Sequence, residues 1–202
     1  MPETAPATPR PARRRGAARQ KLLAAAARRF YADGVSATGI DAITAEAGVA
    51  KMSLYNNFSS KNELVLAYLD ARHEEWLGLY RDRLQGARDG RDGVLAVFDA
   101  YADHAHFAYE RGFRGCGLLN AAAELPAGDE GRDVVRRHKE EVEALLAEHV
   151  GQLVPDRPEE ARAVAEQLAF LLEGAMARAG LEGSATRVER ARAMAADLLA
   201  RL

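Results

Sequence analysis

The 202-residue sequence holds a single cysteine, Cys116. No disulfide can form within the chain, and a reducing compartment such as the cytoplasm is expected. No apolar run approaches the ~20 residues of a membrane-spanning helix, so no membrane partner is expected. The Pro- and Arg-rich start has no apolar segment behind it and does not read as a secretory leader. Period-two alternation is absent, which argues against strands. Neither a Gly-rich phosphate loop nor a nucleophile elbow is found. An enzyme using Cys116 as nucleophile with His104 or His106 therefore has no supporting motif, and no enzymatic activity is expected. The five histidines (His73, His104, His106, His138 and His149) lack metal-ligand spacing, so no metal and no cofactor is expected.

Abundant Ala, Leu, Arg and Glu favour helix, and the length suffices for one or two domains with cores of their own. The net charge of −2 is unevenly spread. Residues 1–61 carry ten Lys/Arg against four Asp/Glu, leaving 18 against 26 in the remainder. A positive head on a negative body is the electrostatic footprint of a nucleic-acid reader with a separate second module. Residues 1–15, MPETAPATPRPARRR, cannot pack a core and read as a disordered basic arm that either enters a minor groove or trails as diffuse charge.

The stretch from Ile40 to Phe58, IDAITAEAGVAKMSLYNNF, reads as two short helices around a tight turn. Ile40, Ile43 and Ala47 recur at helical spacing, and Gly48 stops the first helix because glycine accepts the left-handed conformation. In the second helix Leu54 and Phe58 face inward, leaving Lys51, Ser53, Tyr55, Asn56 and Asn57 outside. Donors and acceptors on a rigid rod are what reading base edges in a major groove requires. Thr38 with Asp41 and Ser60 with Glu63 have capping-box spacing, so helix starts are crowded as in a helix-turn-helix.

These residues resemble the N-terminal domain of TetR-type (TetR/AcrR) transcriptional regulators. The likeness lies in Ala47-Gly48-Val49, Lys51, Leu54-Tyr55, Asn56-Asn57, Phe58, Ser59-Ser60 and Lys61. Met52 departs from it, standing where the family has a small residue; it either meets a thymine methyl or alters the docking angle. The resemblance implies that Lys51, Met52, Ser53 and Asn56 face bases, and that Tyr55, Lys61 and Thr38 hold phosphates. It also implies a homodimer through the two C-terminal helices, bound to a double-stranded, palindromic DNA operator. A small-molecule effector in the second module would release this repressor. Candidate lining residues are Trp76, Tyr80, Tyr101, His104, Phe107, Cys116, Asn120, Glu124, Phe170, Glu173 and Met176. The alternatives are a helical interaction protein with a vestigial helix-turn-helix, or a redox-sensing regulator acting through Cys116.

The expected fold is all-α, about nine helices. The domains are the arm (1–15), a helix-turn-helix DNA-binding domain (16–61) and an effector-binding and dimerisation domain (62–202). Helix one is expected over about 17–32, helix four over 61–84, and a loop from Gly86 through Gly93. Further helices span about 94–111, a restart after Gly117, 130–150, 158–179 capped by Asp156 with Glu159, and a last one capped by Ser184 or Thr186.

Overall fold

The computed structural model describes residues 11–107 and 109–202, with side chains from residue 16 onward. Most of the expected basic arm, residues 1–10, lies outside these, as does Ala108. Among the described residues there are nine helices and no strand: α1 (Pro11–Asp33), α2 (Ile40–Ala47), α3 (Lys51–Tyr55), α4 (Lys61–Leu84), α5 (Gly90–Ala105), α6 (Gly117–Glu124), α7 (Glu130–Leu153), α8 (Pro158–Glu182) and α9 (Thr186–Leu199). The chain divides into two compact units, Met1–Tyr68 and Leu69–Leu202, the boundary falling within α4. No described helix is long and apolar enough to cross a membrane.

In the first unit, α1 begins at Pro11 rather than near Ala17. Its buried stripe is Leu22, Ala25, Ala26 and Phe30, while Leu23 and Ala27 are half-buried. The ring of Phe30 meets Tyr68 edge-on with centroids 5.4 Å apart.

The second unit is built on α7, which packs against α8 and α5; α9 closes over α5 and α8. Its core contains Val97, Phe98, Leu146, Leu168, Leu172 and Met176. Glycines read from sequence as breakers prove to be packing residues. The expected loop ends early, because the Asp89 carboxylate accepts from the Asp92 N–H at 2.9 Å and starts α5. Gly90 and Gly93 then lie inside α5, where a Cβ would overlap the His149 carbonyl and imidazole. Likewise α8 runs on through Gly180 to Gly183, which takes φ 68°. A Cβ on Gly180 would stand 2.6 Å from the Gly115 nitrogen. α5 stops at Ala105, short of the expected Arg111.

Three caps differ from expectation. Gly39, not Thr38, is the N-cap of α2, Arg157 rather than Asp156 precedes α8, and Ala185 precedes α9; none of these three ends has a side-chain cap. Pro158 at the first position of α8 has no N–H to satisfy, so that end tolerates the missing cap. The Ser60 hydroxyl does accept from the Glu63 N–H at 3.1 Å. The reciprocal half goes to Ser59, whose N–H and hydroxyl both donate to Glu63 Oε2 at 2.6 Å.

Candidate nucleic-acid interface

The corner between α2 and α3 is made by Gly48 at φ 63°, ψ 38°, with the Val49 N–H returning to the Thr44 carbonyl at 3.1 Å. α2 is fixed from below by Ile43, Thr44 and Ala47, all buried. From the side, Glu46 accepts from the guanidinium groups of both Arg28 and Arg29 of α1. Burial works against the Glu46 carboxylate, but the two arginines outweigh it and hold Glu46 below its ordinary value. This ties the two helices into one block.

α3 is short, yet it is sharply two-faced. Leu54 is 0 % exposed and Phe58, just past the helix, 1 %, while Met52 is 69 % and Tyr55 48 % exposed. Leu54 and Phe58 therefore act as the root, and backbone bonds from Asn57 and Phe58 to the Leu54 carbonyl close the turn. The Arg19 guanidinium covers the Phe58 ring at 4.8 Å, a cation–π contact from α1 that the sequence pattern did not reveal.

The expected contact residues fall into three groups. Lys51, Met52, Tyr55 and Asn56 are exposed together. Ser53 is half-buried, its carbonyl accepting from Asn57 Nδ2 at 2.7 Å, and Lys61 reaches the Ser36 carbonyl at 3.5 Å. Thr38 stands apart. It is 3 % exposed and its hydroxyl donates to the Gly34 carbonyl at 2.6 Å, so its side chain is committed inward. Lys51 carries a partner that sequence reasoning missed, Asp41 at 2.8 Å, which raises the lysine above its ordinary value. The signal was available, since Asp41 sits in the first turn of α2.

In the second unit the expected pocket residues do not form one set. Trp76, Tyr80, Tyr101, Cys116 and Met176 are buried. Trp76 stacks on Tyr80 at 5.6 Å and tilts against Tyr101 at 5.1 Å. Tyr101, Cys116 and Glu173 converge on Lys139, a residue absent from the sequence-based set. Its ammonium lies 2.7 Å from Glu173, 3.2 Å from the Tyr101 hydroxyl and 3.5 Å from Cys116 Sγ. The signal was its register, four residues after Val135 and three before Val142, both buried. Burial disfavours the ammonium, but the acidic groups gathered around it, with the Glu173 carboxylate in direct contact, outweigh burial and hold Lys139 above its ordinary value.

Other candidates make contacts of their own. His104 pairs with Glu75 at 3.5 Å and meets Phe107 edge-on. Asn120 Nδ2 donates to the Arg114 carbonyl at 2.9 Å, and Glu124 is exposed at the end of α6. Phe170 is 67 % exposed, so it does not line an interior site. It belongs instead to an exposed row on α8 made of Ala163, Gln167, Phe170, Gly174, Ala177 and Leu181. The described residues hold no cluster suited to a metal ion.

Comparison with known proteins agrees with this geometry. Residues 22–68 match the family model of bacterial regulatory proteins of the tetR family. Over 85 residues the chain is 39 % identical to the HTH-type transcriptional activator FasR of Mycolicibacterium smegmatis, covering 42 % of this chain and 39 % of FasR. It is 38 % identical over 76 residues to the HTH-type transcriptional regulator TtgR of Pseudomonas putida, covering 38 % of this chain and 34 % of TtgR. The matched part thus spans well under half the length of these curated relatives. A solved TetR-family transcriptional regulator from Streptomyces coelicolor is similar over the whole fold, with a TM-score of 0.81 and 32 % identity, covering 92 % of this chain and 95 % of that one. A second, from Chloroflexus aurantiacus, has a TM-score of 0.80 and 28 % identity, covering 93 % and 96 %.

Proposed function

This chain belongs to the TetR family of transcriptional regulators, and we propose on that premise that it is a homodimeric repressor released from a palindromic operator by a small-molecule effector. The observation that carries the reading is the two-faced α3, rooted by Leu54 and Phe58 and presenting Lys51, Met52, Tyr55 and Asn56 to solvent. Lys51, Met52, Ser53 and Asn56 meet base edges, while Tyr55 and Lys61 hold phosphates. Lys51 must leave Asp41 to do so, an exchange that costs little because the pair is exposed. Thr38 supports the contact indirectly, as the buried strut that shapes the chain before α2.

One such helix covers too few base pairs for tight specific binding, so a two-fold dimer is required. The exposed row on α8 suits it. Its 4-3-4-3-4 spacing is that of a helix-pairing seam, and Ala163, Gly174 and Ala177 let backbones approach closely. Effector binding in the second unit favours a dimer geometry that no longer matches the operator. A cytoplasmic location follows from this role.

FasR is named an activator, which supports a second reading in which the same DNA contact turns transcription on. Redox control through Cys116 is the remaining alternative, and a Cys116→Ser protein released normally by its trigger removes it. The test is fluorescence anisotropy with the DNA flanking the protein's own coding region. Tyr55→Ala and Lys61→Ala each weaken binding if the assignment holds, and unchanged titrations in both would overturn it. A reporter fused to the bound site gives the sign of regulation.

A further inference from the structure

The interior of the second unit contains a charge-balanced site with two unmet hydrogen-bonding demands. Its positive group is the Lys139 ammonium and its negative group is Glu173, paired at 2.7 Å through Oε1. Glu173 Oε2 is buried without a hydrogen-bond partner. So is the indole nitrogen of Trp76, a side chain only 4 % exposed. Tyr101 connects the two groups, its hydroxyl 3.2 Å from Lys139 and its ring 5.1 Å from the Trp76 ring. Burial drives the Tyr101 phenol far above its ordinary value, so it stays neutral. A buried donor and a buried acceptor left unpaired are each costly, and a bound molecule that meets both recovers that cost.

The balance of charge limits what that molecule is. An anion drawn to Lys139 would strand Glu173, and a cation drawn to Glu173 would strand Lys139; an uncompensated buried charge is strongly disfavoured. Beside Trp76 in sequence, Glu75 is likewise matched, with Arg72 2.7 Å away. Trp76 stacks on Tyr80 and His73, and Lys139 lies over the Tyr101 ring, so it is the edges of these aromatic rings that border the site, and a further ring packs favourably edge-to-face against them. We propose that the effector is an uncharged, planar aromatic molecule with one hydrogen-bond donor, given to Glu173 Oε2, and one acceptor, taken by the Trp76 indole N–H. The proposal rests on the effector reading of the second unit and fixes its chemical class.

Trp76 is the single tryptophan of the chain, so its fluorescence reports the site directly. The full-length protein is titrated with 4-hydroxybenzamide, 4-hydroxybenzoate and tyramine, which keep the phenol ring and make the para substituent neutral, anionic and cationic in turn. The neutral amide should perturb Trp76 emission at a concentration about tenfold or more below either ion. Glu173→Gln keeps the shape and removes the negative charge, so its preference should move to 4-hydroxybenzoate. Lys139→Met should move it to tyramine, and circular dichroism identifies whichever variant is folded. Equal or tighter binding of either ion by the wild type would overturn the proposal. So would an unchanged order of preference in both folded variants, or no Trp76 response to any of the three. Amide binding that leaves operator DNA bound would refute release by effector while upholding the site.

Discussion

Replacing Phe170 by alanine should split the proposed dimer. The ring is 67 % exposed on α8, within the row that ends in Leu181, itself 85 % exposed. An aromatic side chain carries roughly 150–250 Å² of surface, so about 100–170 Å² of Phe170 is free to be covered by a partner. At about 25 cal/mol per Å², and allowing for the methyl that alanine keeps, the loss is roughly 2–3 kcal/mol per protomer. A two-fold interface uses the same patch twice, giving about 4–6 kcal/mol per dimer. The dimer dissociation constant should therefore rise by a factor of about 10³–10⁴. Sedimentation velocity over a dilution series from micromolar to nanomolar protein reads this shift directly. Met52→Ala is the matched control, because Met52 is equally exposed but lies on α3. If Phe170→Ala moves the constant less than about tenfold, or no more than Met52→Ala does, the row on α8 is not the seam.

Further outcomes follow from individual contacts. Asp41→Ala frees Lys51 and removes a negative charge beside DNA, so operator affinity should rise by about twofold to fivefold in anisotropy titrations. Lys61→Ala should reduce the slope of log K against log salt by about one. Gly93→Ala drives a methyl into the His149 imidazole, whose Nε2 lies 2.6 Å from the Tyr80 hydroxyl; urea melts should show a loss of about 1–3 kcal/mol. Burial, followed by repulsion from His73, lowers His138 from 6.5 to about 4. The unfolded chain then takes up this proton first as pH falls, so stability is lost between about pH 6.5 and 4, by up to about 3 kcal/mol. His138→Gln should flatten that part of the stability–pH curve, and an unaltered curve would refute the assignment to His138.

The first unit could be read from sequence because its determinants are local. Gly48 takes the left-handed corner, Leu54 and Phe58 are the root of α3, and α4 starts at Lys61 as the Ser60 and Glu63 spacing indicates. The second unit resisted where the deciding contacts are distant in sequence. Gly90, Gly93 and Gly180 carry the local mark of a loop, but each is a glycine because another segment presses against it. Thr38, Asp156 and Ser184 have capping spacing, yet Thr38 lies one residue before the N-cap with its hydroxyl turned inward to donate to the Gly34 carbonyl, and the other two ends start without a side-chain cap. Lys139 sits in the run RRHKEE, which reads as a solvated face. Only the convergence of Tyr101, Cys116 and Glu173 from three other parts of the chain makes it an interior charge. Phe170 was misplaced for the opposite reason, since an aromatic in an apolar helix suggests interior whether it faces the core or another subunit.

The pairing of Gly115 with Gly180 restricts how this scaffold tolerates redesign. Gly115 has φ 83° and touches α8 at the spot where Gly180 offers bare backbone. A side chain at either position would lever the strand of residues leading to Cys116 away from the helix, and the other position has nothing to give back. Anyone transplanting a new α5–α6 connection to change ligand preference would have to carry both small residues across as one unit. The two positions behave as a single letter of the sequence written in two places.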